Sequence, residues 1–117
     1  MRETPRRRFI RDMRTIAHIG IPTDRVPENG TYLAGAKLYV SDPADTKNNL
    51  EFLYFEEGCP MPEVIQKRTH IAYFVDDLDA ELKAAKKVLV PPFEPFPHIK
   101  AAFVEEDGIG IELLQKF

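Results

Sequence analysis

Two histidines and two glutamates stand at comparable places in the two halves of this 117-residue chain. His18 and Glu51 fall in the first half, His70 and Glu112 fall in the second, and all four lie beside apolar residues. Two imidazoles and two carboxylates form a donor set without thiolate, which suits a divalent ion such as Zn, Ni, Co, Mn or Fe(II). The pattern therefore predicts one divalent-metal site built from these four side chains.

Each of the four side chains also has a purely structural interpretation. A lone histidine within an apolar strand is more often a hydrogen-bonded core residue than a ligand, which applies to His18 and His70. Glu51 and Glu112 can point outward from half-exposed sheets, although a carboxylate is almost never fully buried without a partner. The combination favours the metal site, because the order His, Glu, His, Glu places one candidate ligand on each of four predicted strands.

The first half of the chain is predicted to contain strands and no regular helix. Residues 15–22 alternate apolar and small side chains, and residues 36–41 and 50–56 are rich in strand-forming residues. Residues 23–35 contain turn-forming proline, asparagine and glycine without a helical period. The first half is therefore expected to run strand, loop, strand, strand.

The second half contains helical as well as strand signals. Asp76 and Asp77 supply carboxylates for a helix N-terminus, and Asp107-Gly108 is a strong hairpin turn. Three prolines in residues 88–96 fit only an edge strand or an extended loop. Besides that stretch, the expected elements are a short turn of helix at 63–67, a strand at 69–75, a helix at 78–87, and strands at 101–105 and 109–114.

The two halves form a weak internal repeat. Each begins with a predicted strand that carries a histidine and ends with a predicted strand that carries a glutamate between apolar residues. Repeated units of this kind bury their apolar faces against each other. We therefore expect two related units that share one core.

Four segments of the sequence resemble the vicinal oxygen chelate superfamily, which includes glyoxalase I, methylmalonyl-CoA epimerase, extradiol dioxygenases, and fosfomycin- and bleomycin-resistance proteins. The segments are IAHIGIP, LEFLYFE, THIAYFVDDLDAELKAA and AAFVEEDGIGIELLQ. The resemblance implies an α+β fold in which paired βαβββ modules form an open curved sheet cup around one metal ion. The superfamily's metal ligands match His18, Glu51, His70 and Glu112 in these segments, so the resemblance implies that these four residues are the ligands.

The first module departs from the superfamily pattern. Only residues 23–35 fill the place of a helix and a strand, so we expect this module to be truncated, with its helix reduced or missing. The expected organisation is a basic N-terminal arm at 1–14 and a single domain at 15–117, with modules at 15–58 and 68–117. A sheet face without its covering helix is usually buried by a partner, which predicts a homodimer.

The resemblance also implies a function, namely a metal-dependent glyoxalase-like lyase, isomerase or epimerase acting next to a carbonyl of a small oxygenated substrate. Glu112 would be a ligand and possible catalytic base, with Glu51 as the second catalytic candidate. Two alternatives stay open. A non-catalytic small-molecule-binding module of the bleomycin-resistance type characteristically lacks metal ligands, and a non-haem iron dioxygenase typically uses two histidines and one carboxylate.

Composition narrows the class of protein further. The net charge is −3, but residues 1–14 hold six arginines against two acidic residues, which leaves +4 there and −7 in the remainder. An acidic body without a basic stripe argues against nucleic-acid binding, and no apolar run approaches the ~20 residues that span a bilayer. The single cysteine, Cys59, and the lack of a secretory signal predict a cytoplasmic protein.

Overall fold

The computed structural model describes residues 14–117, in which eight strands form one mixed sheet that curls into a half-barrel. The strands are β1 (Arg14–Pro22), β2 (Thr31–Leu33), β3 (Leu38–Val40), β4 (Leu50–Phe55), β5 (His70–Val75), β6 (Val88–Phe96), β7 (Ile99–Glu106) and β8 (Ile109–Lys116). Among the same residues, two helices, α1 (Glu63–Lys67) and α2 (Leu78–Ala84), and a 3₁₀ helix (Pro43–Asp45) accompany the sheet. The architecture is α+β, as predicted. Neither helix is long and apolar enough to cross a membrane.

The strand order is β2-β3-β4-β1-β5-β8-β7-β6. In the first half (β1–β4) and in the second half (β5–β8), the first strand pairs in parallel with the last, and the other pairs are antiparallel. The halves join through the antiparallel pair β1–β5. The four central strands are therefore the four that carry the candidate ligands.

The register places these ligands on one side of the sheet. Gly20 in β1 is paired with Glu51 in β4 and with His70 in β5. Ala72 in β5 is paired with His18 in β1 and with Glu112 in β8. Because directly paired residues project from the same side of a sheet, all four ligands share one face. We call this the inner face, and the opposite side the outer face.

An irregularity in β1 directs His18 to the inner face. The β1–β5 register shifts between Ile16 and His18, so that Ala17 is an extra residue in β1. Ile16 is paired with Tyr73 on the outer face, whereas His18, two residues later, is paired with Ala72 on the inner face. Regular alternation would place both on one side, and a bulge of this kind re-aims the side chains that follow it.

Helix α2 covers the outer face of the second half. Its buried Leu78 joins a core cluster with residues of β5, β7 and β8, including Val104 and Leu113. The Asp77 carboxylate caps the helix by accepting a hydrogen bond from the backbone N–H of Ala80 at 3.1 Å. The prediction of a helix to residue 87 was too long, because the backbone at Ala85 is already extended and leads into β6.

The first half contains two short elements that were not predicted, strand β2 and the 3₁₀ helix Pro43–Asp45. Strand β2 lies within residues 23–35, which were expected to be irregular, and it is only three residues long. No helix occurs between β1 and β2, both of which lie in the described part of the chain. In the second half, β6 is an edge strand, one of the two options foreseen, and its pairing with β7 is irregular around its prolines.

Arg14 belongs to the sheet, not to the arm to which it was assigned. It opens β1, and its guanidinium donates hydrogen bonds to Glu106 at 2.9 Å and to Glu81 at 2.8 Å. The same guanidinium lies 5.4 Å from the centre of the Tyr73 ring. These contacts tie the start of β1 to α2 and to the β7–β8 hairpin. The rest of the predicted arm, residues 1–13, lies outside the described residues.

Candidate metal centre

The structure brings together all four candidate ligands within one chain, where the two halves meet. One donor atom from each of His18, Glu51, His70 and Glu112 lies within 4.8 Å of the other three. His70 is 1% exposed, and none of the others is more than 9% exposed. Buried ionisable groups destabilise a fold unless they are paired or bind an ion.

The shortest contacts in the cluster join imidazole nitrogens to carboxylate oxygens. Glu112 Oε1 lies 3.1 Å from His70 Nε2 and 3.2 Å from His18 Nε2. Glu51 Oε1 lies 3.3 Å from His18 Nε2 and 3.8 Å from His70 Nε2. Ligands bonded to one zinc-sized ion at about 2.1 Å are separated by roughly 3.4 Å in a tetrahedron, so these spacings suit shared coordination.

Two of the imidazole nitrogens lack hydrogen-bond partners among the described residues. His18 Nε2 is buried and lies close to both carboxylates, but neither contact has the geometry of a hydrogen bond. The Nδ1 atom of His70 is likewise buried and unpartnered. Since buried nitrogens are nearly always satisfied, a ligand at His18 Nε2 accounts for its position between two carboxylates.

The electrostatics of the cluster also favour a cation. No lysine or arginine of residues 14–117 forms an ion pair with Glu51 or Glu112. Burial acts to raise the pKa of Glu112, but the contacts with His18 and His70 outweigh it and lower that pKa to about 2. Burial acts to lower the pKa of His18, but the contacts with Glu112 and Glu51 raise it to about 10. A proton on His18 offsets only part of the charge of two carboxylates, whereas a divalent ion offsets all of it.

Small residues make room for the cluster. A Cβ atom at Gly20 would overlap the ring of His70, so only glycine fits beside that imidazole. The ring of Phe103 meets the His70 ring edge to face, with centroids 5.3 Å apart. Gly20 was not among the predicted site residues, although a glycine inside a strand pattern often marks a close approach of this kind.

Two cavities adjoin the cluster on the inner face. The larger, about 380 Å³, reaches His18, Glu51 and Glu112 and receives at least one residue from each of the eight strands. A smaller cavity of about 60 Å³ touches His70, Glu51 and Glu112 and is otherwise lined by apolar side chains. A small molecule can therefore reach the cluster from the inner face of the half-barrel.

No known family model matches this sequence, and neither does any curated protein. The residues present nevertheless fit a divalent ion by donor type, spacing and charge. The function of the cluster is therefore inferred from its own geometry and from the strand arrangement around it.

Proposed function

We propose that this protein is a metal-dependent enzyme of the glyoxalase type, a lyase, isomerase or epimerase that acts next to a carbonyl of a small oxygenated substrate. The observation that carries the proposal is the convergence of His18, Glu51, His70 and Glu112, three of which line the larger cavity. Four ligands from four strands are held without loops, so their directions are fixed. A divalent ion held by them would act as a Lewis acid on a substrate oxygen.

The strand order supports membership of the vicinal oxygen chelate superfamily. Strands β1–β4 and β5–β8 repeat one arrangement, in which the first and last strands pair in parallel and two more extend outward. We interpret residues 15–58 and 68–117 as two βαβββ-type modules, the first without its helix. The candidate ligands then occupy the first and last strand of each module.

The contacts distinguish the roles of the two glutamates. Glu112 is held closely by both imidazoles, at 3.1 Å and 3.2 Å. Glu51 makes longer contacts, at 3.3 Å and 3.8 Å, although both glutamates line both cavities. We therefore assign proton transfer first to Glu51, which accepts the proton from the carbon next to the carbonyl and returns it, with Glu112 as the more firmly held ligand.

Metal analysis tests the centre directly. Protein purified without chelator and supplied in turn with Zn, Co, Ni, Mn and Fe(II) should hold about one ion per chain. The variant His70→Ala should lose that ion. The matched control is His98→Asn, which removes the exposed third histidine and keeps a residue that tolerates its positive φ of 66°. Failure of all five ions to bind would exclude the proposal.

Hydrogen exchange tests the proton transfer without knowledge of the natural substrate. The metal-loaded protein should catalyse exchange into deuterated water at the carbon next to the carbonyl of hydroxyacetone and related hydroxyketones. Glu51→Gln keeps an oxygen ligand but loses the base, so exchange should fall roughly 100-fold or more. Glu56→Gln is the control, because Glu56 accepts a hydrogen bond from exposed Tyr32, away from the cluster.

A non-catalytic small-molecule-binding module is the second candidate. The apolar side chains around the 380 Å³ cavity favour it, because they would bind a ligand with or without a metal ion. This function is supported instead if the protein binds such ligands equally well after chelation and catalyses no exchange. Oxygen uptake with catechols in the presence of Fe(II) would point to the dioxygenase alternative.

A further inference from the structure

The larger cavity has two chemically different walls. The first half contributes the polar groups of Thr31, Ser41 and Asp42, together with two apolar residues, Val40 and Pro43. The second half contributes hydrocarbon surface, from Phe74, Pro95, Phe96, Ile99 and Leu114. A bound molecule would therefore meet a polar edge on one side and an apolar surface on the other.

Within residues 14–117, the cavity offers no positive side chain. Its lining contains three carboxylates, those of Asp42, Glu51 and Glu112, and neither lysine nor arginine among the described residues. Lys116 lies 4.7 Å above the Phe74 ring but is not part of the lining. If a divalent ion neutralises the two glutamates, the charge of Asp42 remains. A phosphate or carboxylate group in the cavity would lose hydration without gaining a partner.

The polar wall can still bind neutral oxygen groups. The Ser41 hydroxyl accepts a hydrogen bond from the backbone N–H of Phe52 at 2.8 Å, which leaves its own hydrogen to donate. Asp42 uses one carboxylate oxygen to cap the 3₁₀ helix, accepting from the Ala44 N–H at 2.9 Å, and its second oxygen can accept. Donor and acceptor together suit a hydroxyl or carbonyl group.

We propose that this cavity selects an uncharged oxygenated substrate with a compact hydrocarbon group, and discriminates against phosphorylated or carboxylated molecules. The hydrocarbon group lies against Phe74, Phe96 and Leu114, and the polar edge faces Ser41 and Asp42. This inference rests on the proposed metal centre, because a ligand that chelates the ion is what brings the substituent into the cavity.

Three hydroxamates bound to the cobalt(II)-loaded full chain test the selection, with the visible cobalt absorption as readout. Acetohydroxamate, benzohydroxamate and 4-carboxybenzohydroxamate share one chelating group and differ only in the substituent. Benzohydroxamate should bind about tenfold more tightly than acetohydroxamate, because its ring buries apolar surface. The carboxylated probe should bind about tenfold more weakly than benzohydroxamate.

Two variants assign the effects to the two walls. Phe96→Ser should remove most of the preference for the phenyl ring, and because Phe96 is 45% exposed the fold should tolerate it. Phe117→Ser, at a 61% exposed residue outside the cavity lining, should leave the preference unchanged. Asp42→Asn keeps an oxygen for the Ala44 cap and should improve binding of the carboxylated probe severalfold.

The outcomes separate this inference from the proposed function. Equal affinities for the three probes, or tighter binding of the carboxylated one, would overturn the substrate class while leaving the metal centre intact. Failure of cobalt to bind would overturn the proposed function and, with it, the inference that depends on it. Retention of the phenyl preference by Phe96→Ser would overturn the assignment of the apolar wall.

Discussion

Of the four side chains in the cluster, His18 indicates most directly what the cluster can bind. Its Nε2 atom lies between two carboxylates, at 3.2 Å and 3.3 Å, without a hydrogen bond of good geometry. The same nitrogen can hold a proton or a metal ion, but not both. Protons and metal ions should therefore compete for the cluster.

This competition predicts opposite pH dependences with and without metal. The pKa of His18 is raised from 6.5 to about 10, so its contribution to stability is complete below pH 6.5 and is lost as the pH rises through 10. The pKa of Glu112 is lowered from 4.5 to about 2, so its contribution is present above pH 4.5 and is lost as the pH falls through 2. Chelator-treated protein should unfold at a lower temperature at pH 9 than at pH 6.

Metal-loaded protein should instead unfold at a higher temperature at pH 9 than at pH 6, because metal binding requires an unprotonated imidazole. Thermal unfolding at pH 6 and pH 9, with and without saturating zinc, measures both trends. His18→Asn should abolish the difference between the pH dependences with and without zinc, while His98→Asn preserves that difference. Parallel pH profiles with and without zinc would contradict the competition.

At the scale of elements, the site depends on how closely β1 approaches β5. Gly20 and Ala72 occupy the inner face between the ligands, and both are small. The bulge at Ala17 then brings His18 onto the same face as Gly20. The backbone of the two central strands thus sets the separation of the donor atoms.

Gly20→Ala should disrupt the centre by displacing the His70 ring. We expect a loss of about 1–3 kcal/mol in the free energy of unfolding, because the new methyl group overpacks a buried site. Metal affinity should fall at least tenfold. Gly35→Ala is the matched control, since a Cβ atom there meets nothing within 4 Å. Chemical denaturation and zinc titration measure the two effects, and equal behaviour of both variants would refute the role of Gly20.

Much of this arrangement could be predicted from the sequence, and the exceptions have physical causes. Glu51 and Glu112 lie mid-strand between apolar residues, so their strands were recognisable from local patterns. The face of the sheet on which His18 lies could not be predicted, because the bulge at Ala17 depends on pairing with β5. Strand β2 is too short for its alternation to stand out, and its pairing with β3 defines it. The cavity walls come from all eight strands, which no local pattern reveals.

At the scale of the whole molecule, the two halves differ in how their outer faces are covered. Helix α2 packs on the second half, whereas no described helix lies between β1 and β2 in the first. On that side Ile16 is 59% exposed, and Tyr32, Tyr39 and Tyr54 form a row of rings with centroids 4.7 Å and 6.3 Å apart. Exposed apolar and aromatic side chains on an uncovered sheet face are typical of an interface.

We therefore expect a homodimer that buries the outer face of the first half. Light scattering should give about twice the chain mass of 13.4 kDa. Ile16→Asp should shift the protein to the monomer, because a buried unpaired charge opposes association. Val88→Asp changes a residue of similar exposure, 44%, in the opposite half and should leave the dimer intact. A monomeric mass for the wild-type chain at micromolar concentration would rule out the interface.

The pairing of β1 with β5 has a consequence for assembly. Each half contributes one imidazole and one carboxylate to the cluster, so neither half contains a complete donor set. The connection between them, residues 56–69, runs outside the sheet and carries only the short helix α1. If two chains exchanged their second halves through this connection, each resulting cluster would contain two side chains from one chain and two from the other. Domain swapping would thus preserve the cluster while changing which polypeptide supplies each pair of side chains.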